Sequence, residues 1–308
     1  MDVQIVDGWP KGNAIRILLT NTDAAQVNAV RRALIADVPK LAIDRVNFDQ
    51  GTHQDNKGQV LESVNVLPDE VIAHRLAMVP VPTFLDEFVF PEDDENNKNL
   101  PEDQWGSPLS QIIYHLSIRG PNSDSDEQFK TVYAGDLNVL GETKLQISEE
   151  HARIPLTILS SGQYLELYAY ATLGRGRDHA KWCPAAAVTF QPRQKATLNK
   201  PKKANTLFDL NLTSKSGRAI NAKLFTNKEC TDVDSVLDLE RAMHQVGYGT
   251  NRDEAFDNAI TLEDIEGEYI FSYESDGSLS PEEVFNQACE ELSSRFGKIT
   301  GEIDTALA

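Results

Sequence analysis

Apolar and polar positions alternate in the opening stretch of the chain, Val3 to Thr20, where Ile15, Ile17 and Leu19 are each separated by one polar or outward residue. A period of two is that of a strand with one buried face. Gly8-Trp9-Pro10 and Gly12-Asn13 supply turn residues, so a strand or a hairpin is predicted here. The period then changes. Val27, Val30, Leu34 and Val38 recur at three- and four-residue steps, which predicts a helix capped by Thr22 or Asp23 and ended by Pro39. Leu41 to Phe48 alternates again and predicts a strand. A second helix is predicted over Asp69–Met78, where Ile72 and Leu76 share a face between Pro68 and the pair Pro80 and Pro82.

Phe90 to Pro108 is acidic, rich in asparagine and interrupted by prolines, the composition of a mobile surface loop. Strands are predicted over Ile112–Ile118, Thr131–Leu137 and Tyr164–Leu173, with turn clusters such as Gly120-Pro121-Asn122-Ser123 between them. Helical periodicity returns at Val233–Val246 and Asp253–Ile260. In the tail, Tyr269, Phe271 and Tyr273 predict a short strand of β-favouring residues, followed by a turn at Asp276-Gly277. Ser280-Pro281-Glu282-Glu283 then reads as an N-cap, a proline in the first helical turn and a capping-box glutamate. Beyond it Phe285, Ala288, Cys289, Leu292, Phe296 and Ile299 fall on one helical stripe, where Cys289 reads as a small buried hydrophobe. The class is α+β.

At 308 residues the chain exceeds a single core and has room for two or three domains. No apolar run approaches the ~20 residues of a membrane-spanning helix, and Met1 to Pro10 lacks the basic start and apolar stretch of a secretory signal. Cys183, Cys230 and Cys289 are odd in number and far apart, which argues for a reducing, cytoplasmic setting and against a metal site. The net charge of −19 is unevenly placed: Glu229 to Ala308 holds 20 acidic and 4 basic residues, whereas Gln191 to Lys228 holds 9 basic residues and one acid. An acidic chain repels nucleic-acid phosphates over most of its surface. The basic stretch is the exception, and a solvated hairpin loop is its plainest reading. No phosphate loop, dinucleotide fingerprint, HExxH helix or nucleophile elbow occurs, the Glu92-Asp93-Asp94-Glu95 run reads as solvated chain, and no catalytic residue is assigned.

Three segments in order carry a resemblance: Gln26 to Pro39 with Leu41-Ala42-Ile43-Asp44, then Ile72 to Pro80, then Phe271 to Glu283. A weaker fourth is Gly174-Arg175-Gly176-Arg177-Asp178-His179-Ala180-Lys181-Trp182. Together they resemble the family that comprises the D-type subunits of archaeal RNA polymerase, the corresponding eukaryotic subunits and the bacterial α amino-terminal domain. The resemblance implies a two-part dimerisation domain, a sheet plus amphipathic helices drawn from both chain ends (1–50 and 264–308). A mostly β domain (51–190) and a small degenerate ferredoxin-like insertion (191–263) would lie between. It implies a non-catalytic assembly subunit, a heterodimer with a small L-type subunit that docks the two large catalytic subunits and meets DNA only through the complex, without a membrane. Val27, Val30, Leu34, Phe285, Leu292 and Phe296 are then candidates for dimer interface or core. Asn28, Arg31 and Arg32 of the first helix, with His74 and Arg75 of the second, are candidates for docking the large subunits. Some relatives carry an iron–sulfur cluster in the insertion; Cys230 alone remains there, with Cys183 upstream, so no cofactor is expected. An independent nucleic-acid-binding transcription regulator using residues 193–228 is the competing reading. Salt adaptation of the host is left open by the acid excess.

Overall fold

A computed structural model describes residues 1–54, 58, 60–64, 67–101, 104–122, 126–214, 217–247 and 258–307. Its elements in chain order are β1 (Asp2–Ile5), β2 (Ala14–Thr20), α1 (Ala24–Ala36), β3 (Pro39–Phe48), β4 (Thr52–Gln54), β5 (Val60–Glu62), α2 (Asp69–Ala77), β6 (Gln111–Arg119), β7 (Phe129–Tyr133), β8 (Asn138–Val139) and β9 (Pro155–Ser160). They continue as β10 (Tyr164–Arg175), β11 (Ala185–Leu198), α3 (Pro201–Phe208), β12 (Glu229–Cys230), α4 (Val233–Gly247), β13 (Ile260–Ser275) and α5 (Pro281–Leu307). Of the helix predicted over Asp253–Ile260, residues 253–257 lie outside the described residues, whereas Asn258 and Ala259 form a turn and Ile260 opens β13. The chain divides into two units, one of residues 1–11, 15–29 and 188–273 and the other of 12–14, 30–187 and 274–308, so the division falls within α1.

In the first unit the alternating start forms an antiparallel hairpin, β1 on β2, in the register Asp2↔Thr20 to Ile5↔Ile17. Ile15, Ile17 and Leu19 point into the core, as a period of two requires. The five-stranded sheet runs β1-β2-β13-β11-β12, which sets a strand near one end of the sequence beside a strand near the other. Two helices cover part of it. Ala204, Leu207 and Phe208 of α3 and Val236, Leu239 and Ala242 of α4 pack with Ala196, Leu198 and Cys230. Asp234 of α4 pairs with Arg16 of β2, whose guanidinium also lies over the Trp9 ring.

In the second unit β3, β10, β6 and β8 form an antiparallel sheet in that order. Its buried face, with Leu41, Ile43, Tyr114, Leu116 and Leu167, packs against Ile72 and Leu76 of α2. The predicted strand Thr131–Leu137 is shorter than its pattern: β7 ends at Tyr133 and Ala134–Asp136 makes a 3₁₀ turn, with Asp136 bonding back to the Tyr133 N–H at 2.8 Å.

Phe90 to Pro108 departs from the expectation of a loose loop. Asp94 and Asn97 are buried, and Asp94 accepts hydrogen bonds from the hydroxyls of Ser107 and Ser110 and from the Asn96 N–H. A carboxylate at the centre of a polar cluster gathers the segment into successive turns. Cys289 also departs from expectation: it is exposed, because the buried stripe of α5 runs through Val284, Phe285 and Ala288.

Candidate partner interface

The end of α1 and the middle of α5 are held by the motif that carried the weakest signal in the sequence. Asp37, one residue beyond α1, is buried, and its carboxylate pairs with Arg295 of α5 and, at 3.7 Å, with Arg177. Arg175, at the end of β10, donates to the Asp37 carbonyl and pairs with Glu291 of α5 at 2.8 Å. The Arg177 N–H donates to the Ala36 carbonyl at 3.0 Å, capping an open helix end. Gly176 lies so close to α1 that a Cβ there would stand 2.1 Å from the Ile35 carbonyl oxygen. Gly174 is constrained likewise: a Cβ would meet the Trp182 ring at 2.3 Å, while that indole donates to the Thr172 carbonyl at 3.1 Å. The motif is weak in the sequence because its meaning depends on two helices that come from distant parts of the chain.

The turn before α5 is knit in the same way. Asp276 pairs with buried Lys40 of β3 and accepts from the Ser278 N–H and hydroxyl at 3.0 and 2.6 Å. The Ser278 carbonyl accepts from Thr83 N–H at 3.0 Å, and the Thr83 hydroxyl in turn accepts from Leu41 N–H. The predicted capping box is present in both directions: Ser280 N–H to Glu283 Oε2 at 2.8 Å and Glu283 N–H to Ser280 Oγ at 3.3 Å. These contacts anchor the first turn of α5, and its far end runs on beyond them.

That far end is bare. Phe296, Ile299, Ile303 and Leu307 recur at three- and four-residue steps and are 65, 51, 51 and 82 % exposed. The stripe that is buried near Phe285 therefore continues into solvent, with Leu292 half-buried at the transition. Val27, Val30 and Leu34 of α1 are instead buried within this chain. Among the candidate docking residues Arg32, His74 and Arg75 are exposed, and Asn28 and Arg31 half-buried. Arg75 donates to the Leu156 carbonyl at 3.1 Å, fixing the last turn of α2 against β9. Exposed Val71 and Met78 flank His74 and Arg75 on the surface of that helix. Among the described residues no three His, Cys, Asp or Glu side chains gather as a metal site needs, and no helix is long and apolar enough to cross a membrane.

A framework of partly buried ion pairs and backbone caps leaves apolar and cationic side chains on its outside, the kind of surface through which proteins meet one another. The chain belongs to the RNA polymerase Rpb3/Rpb11 dimerisation-domain family, whose model matches residues 16–296. It is 28% identical to DNA-directed RNA polymerase subunit Rpo3 of Picrophilus torridus, over 94% of this chain and 95% of that one. Identity is 27% to the Rpo3 subunit of Methanobrevibacter smithii, over 92% of each chain, and 27% to the RNA polymerase II subunit rpb3 of Dictyostelium discoideum, over 95% of this chain and 92% of that one. The likeness carried by the three sequence segments is therefore to the family that the chain joins over nearly its whole length.

Proposed function

We propose that this chain is a non-catalytic assembly subunit of a DNA-dependent RNA polymerase, which pairs with a small L-type subunit and then docks the two large subunits. The observation that carries the reading is the apolar stripe Phe296, Ile299, Ile303 and Leu307 on a helix capped at its first turn and held by ion pairs near its middle. Such a stripe is half of a core, and a partner of similar construction completes it. The names of the relatives, all polymerase subunits, point the same way. On this reading residues 1–50 and 264–308 form the dimerisation domain, 51–190 the inserted domain and 191–263 a degenerate ferredoxin-like insertion. A cluster does not suit that insertion, because such clusters are held by about four thiolates and its one cysteine, Cys230, is buried among apolar side chains on β12.

Co-expression with the L-type subunit of the same genome tests the proposal. The pair is expected to purify as a soluble 1:1 complex. Phe296→Asp combined with Ile303→Asp is expected to abolish pairing while leaving the circular dichroism spectrum unchanged, since both side chains already face water. A doubly substituted chain that still pairs at wild-type affinity overturns the assignment of α5 as the interface.

A further inference from the structure

Much of the basic stretch lies in regular elements and not in one loop. Residues 191–198 complete β11, Pro201–Phe208 form α3, and Ala222–Leu224 make a 3₁₀ turn. Among the described residues its cations divide into two groups. Arg193 pairs with Glu268 at 2.7 Å, Arg218 with Asp232 at 2.9 Å and Lys195 with Glu263 at 3.1 Å. Lys200, Lys202, Lys203, Lys223 and Lys228 are exposed and have no carboxylate partner among the described residues.

The five surround one short helix. Lys200 precedes α3, and Lys202 and Lys203 lie exposed in its first turn, Lys202 opposite and Lys203 beside the face that buries Ala204, Leu207 and Phe208. Lys228 is brought beside that start because its carbonyl accepts the Leu198 N–H at 2.8 Å. Lys223 is carried to the other end by its turn, which the Phe208 and Phe225 rings, 6.3 Å apart, pack against α3. Asn205 and Thr206 are exposed on the same helix, and Asp209 and Glu229 are exposed carboxylates near its margins.

We infer that the lysine face around α3 binds the phosphate backbone of nucleic acid, without reading its sequence. An acidic protein segment is the other polyanion to consider, and the composition of the face opposes it. Protein interfaces place aromatic, methionine and arginine side chains at their centre and are depleted of lysine. Here the arginines are engaged internally, and α3 exposes lysine, asparagine and threonine, the side chains that bind phosphate and sugar. Lysine acts as a mobile point charge, suited to a row of phosphates. The positive end of the helix dipole adds to the three lysines at the start of α3. Over a Debye length of about 8 Å at physiological salt, the chain's distant carboxylates are largely screened from the face. This inference is independent of the polymerase reading, because it concerns a different surface and a different ligand.

The test uses the full chain and two fluorescent probes, a single-stranded RNA and a duplex DNA of mixed sequence, followed by anisotropy between 50 and 200 mM salt. Binding of either probe is expected at low salt, with log K falling linearly against log salt. Lys200→Gln, Lys202→Gln and Lys203→Gln together are expected to weaken it tenfold or more at 50 mM salt. They should also reduce the slope by about 2 to 3, at roughly 0.7–0.9 for each phosphate no longer neutralised. Lys223→Gln with Lys228→Gln is expected to act in the same direction, whereas Lys98→Gln with Lys130→Gln leaves binding unchanged. Absence of binding at 50 mM salt, indifference to both lysine variants of the face, or equal capture of a polyglutamate peptide overturns the inference.

Discussion

Asp94 shows how one side chain can reverse the reading of a segment. Within Glu92-Asp93-Asp94-Glu95 nothing in the sequence marks it off from its neighbours, yet it alone of the four is buried. The Ser107 and Ser110 hydroxyls and the Asn96 N–H hold its pKa down to about 2, below the ordinary 3.8. A carboxyl whose pKa falls on folding contributes stability that is complete above the unfolded value and is lost as pH drops towards the folded one. Urea unfolding at a series of pH values is therefore expected to show wild type more stable than Asp94→Asn at pH 6, with the gap closing between about pH 4 and 2. A gap of the same size at pH 2 contradicts this role. The serines that organise the cluster lie thirteen and sixteen residues away in sequence, so no local pattern could have revealed it.

At the scale of elements, legibility follows the range of the interactions. The capping box of α5 and the Asp23 cap of α1, whose carboxylate accepts the Gln26 N–H at 2.8 Å, involve residues three apart and were readable directly. The full length of β13 was not. Its first half carries Glu263, Asp264, Glu266 and Glu268, which hide the apolar signal of a strand. Glu263 and Glu268 pair with Lys195 and Arg193 of β11 across the sheet and Asp264 accepts from the Gln194 amide, so charges that look like separate acidic and basic tracts form one ladder. Gly176 offers the sharpest test of a long-range element contact. Gly176→Ala adds a methyl group against the Ile35 backbone, which has no side chain to move aside. Overpacking of this kind is expected to cost about 1–3 kcal/mol in urea unfolding, whereas the same change at Gly141, with open space around it, leaves the midpoint nearly unmoved. Equal effects at the two sites contradict the close approach.

For the whole molecule, the assembly reading predicts that its outward surfaces act separately. Arg31→Glu with Arg32→Glu is expected to leave pairing with the L-type subunit intact and to reduce co-purification of the large subunits tenfold or more, the equivalent of about 1.4 kcal/mol. Normal recovery of the large subunits refutes the docking role of α1. Fold class and family were legible because amphipathic periods and three short motifs survive in order along the chain. The bare end of α5 was only half legible: the stripe was visible, but whether Phe285 or Phe296 is the covered residue depends on how far the helix outruns its own unit.

The neighbourhood of β2 and β13 in one sheet also bears on biosynthesis. A ribosome delivers the opening hairpin long before Ile260 emerges, and until then one edge of β2 offers unpaired N–H and C=O groups to any strand nearby. Nascent chains halted short of β13 thus carry a sticky margin that the finished polypeptide conceals.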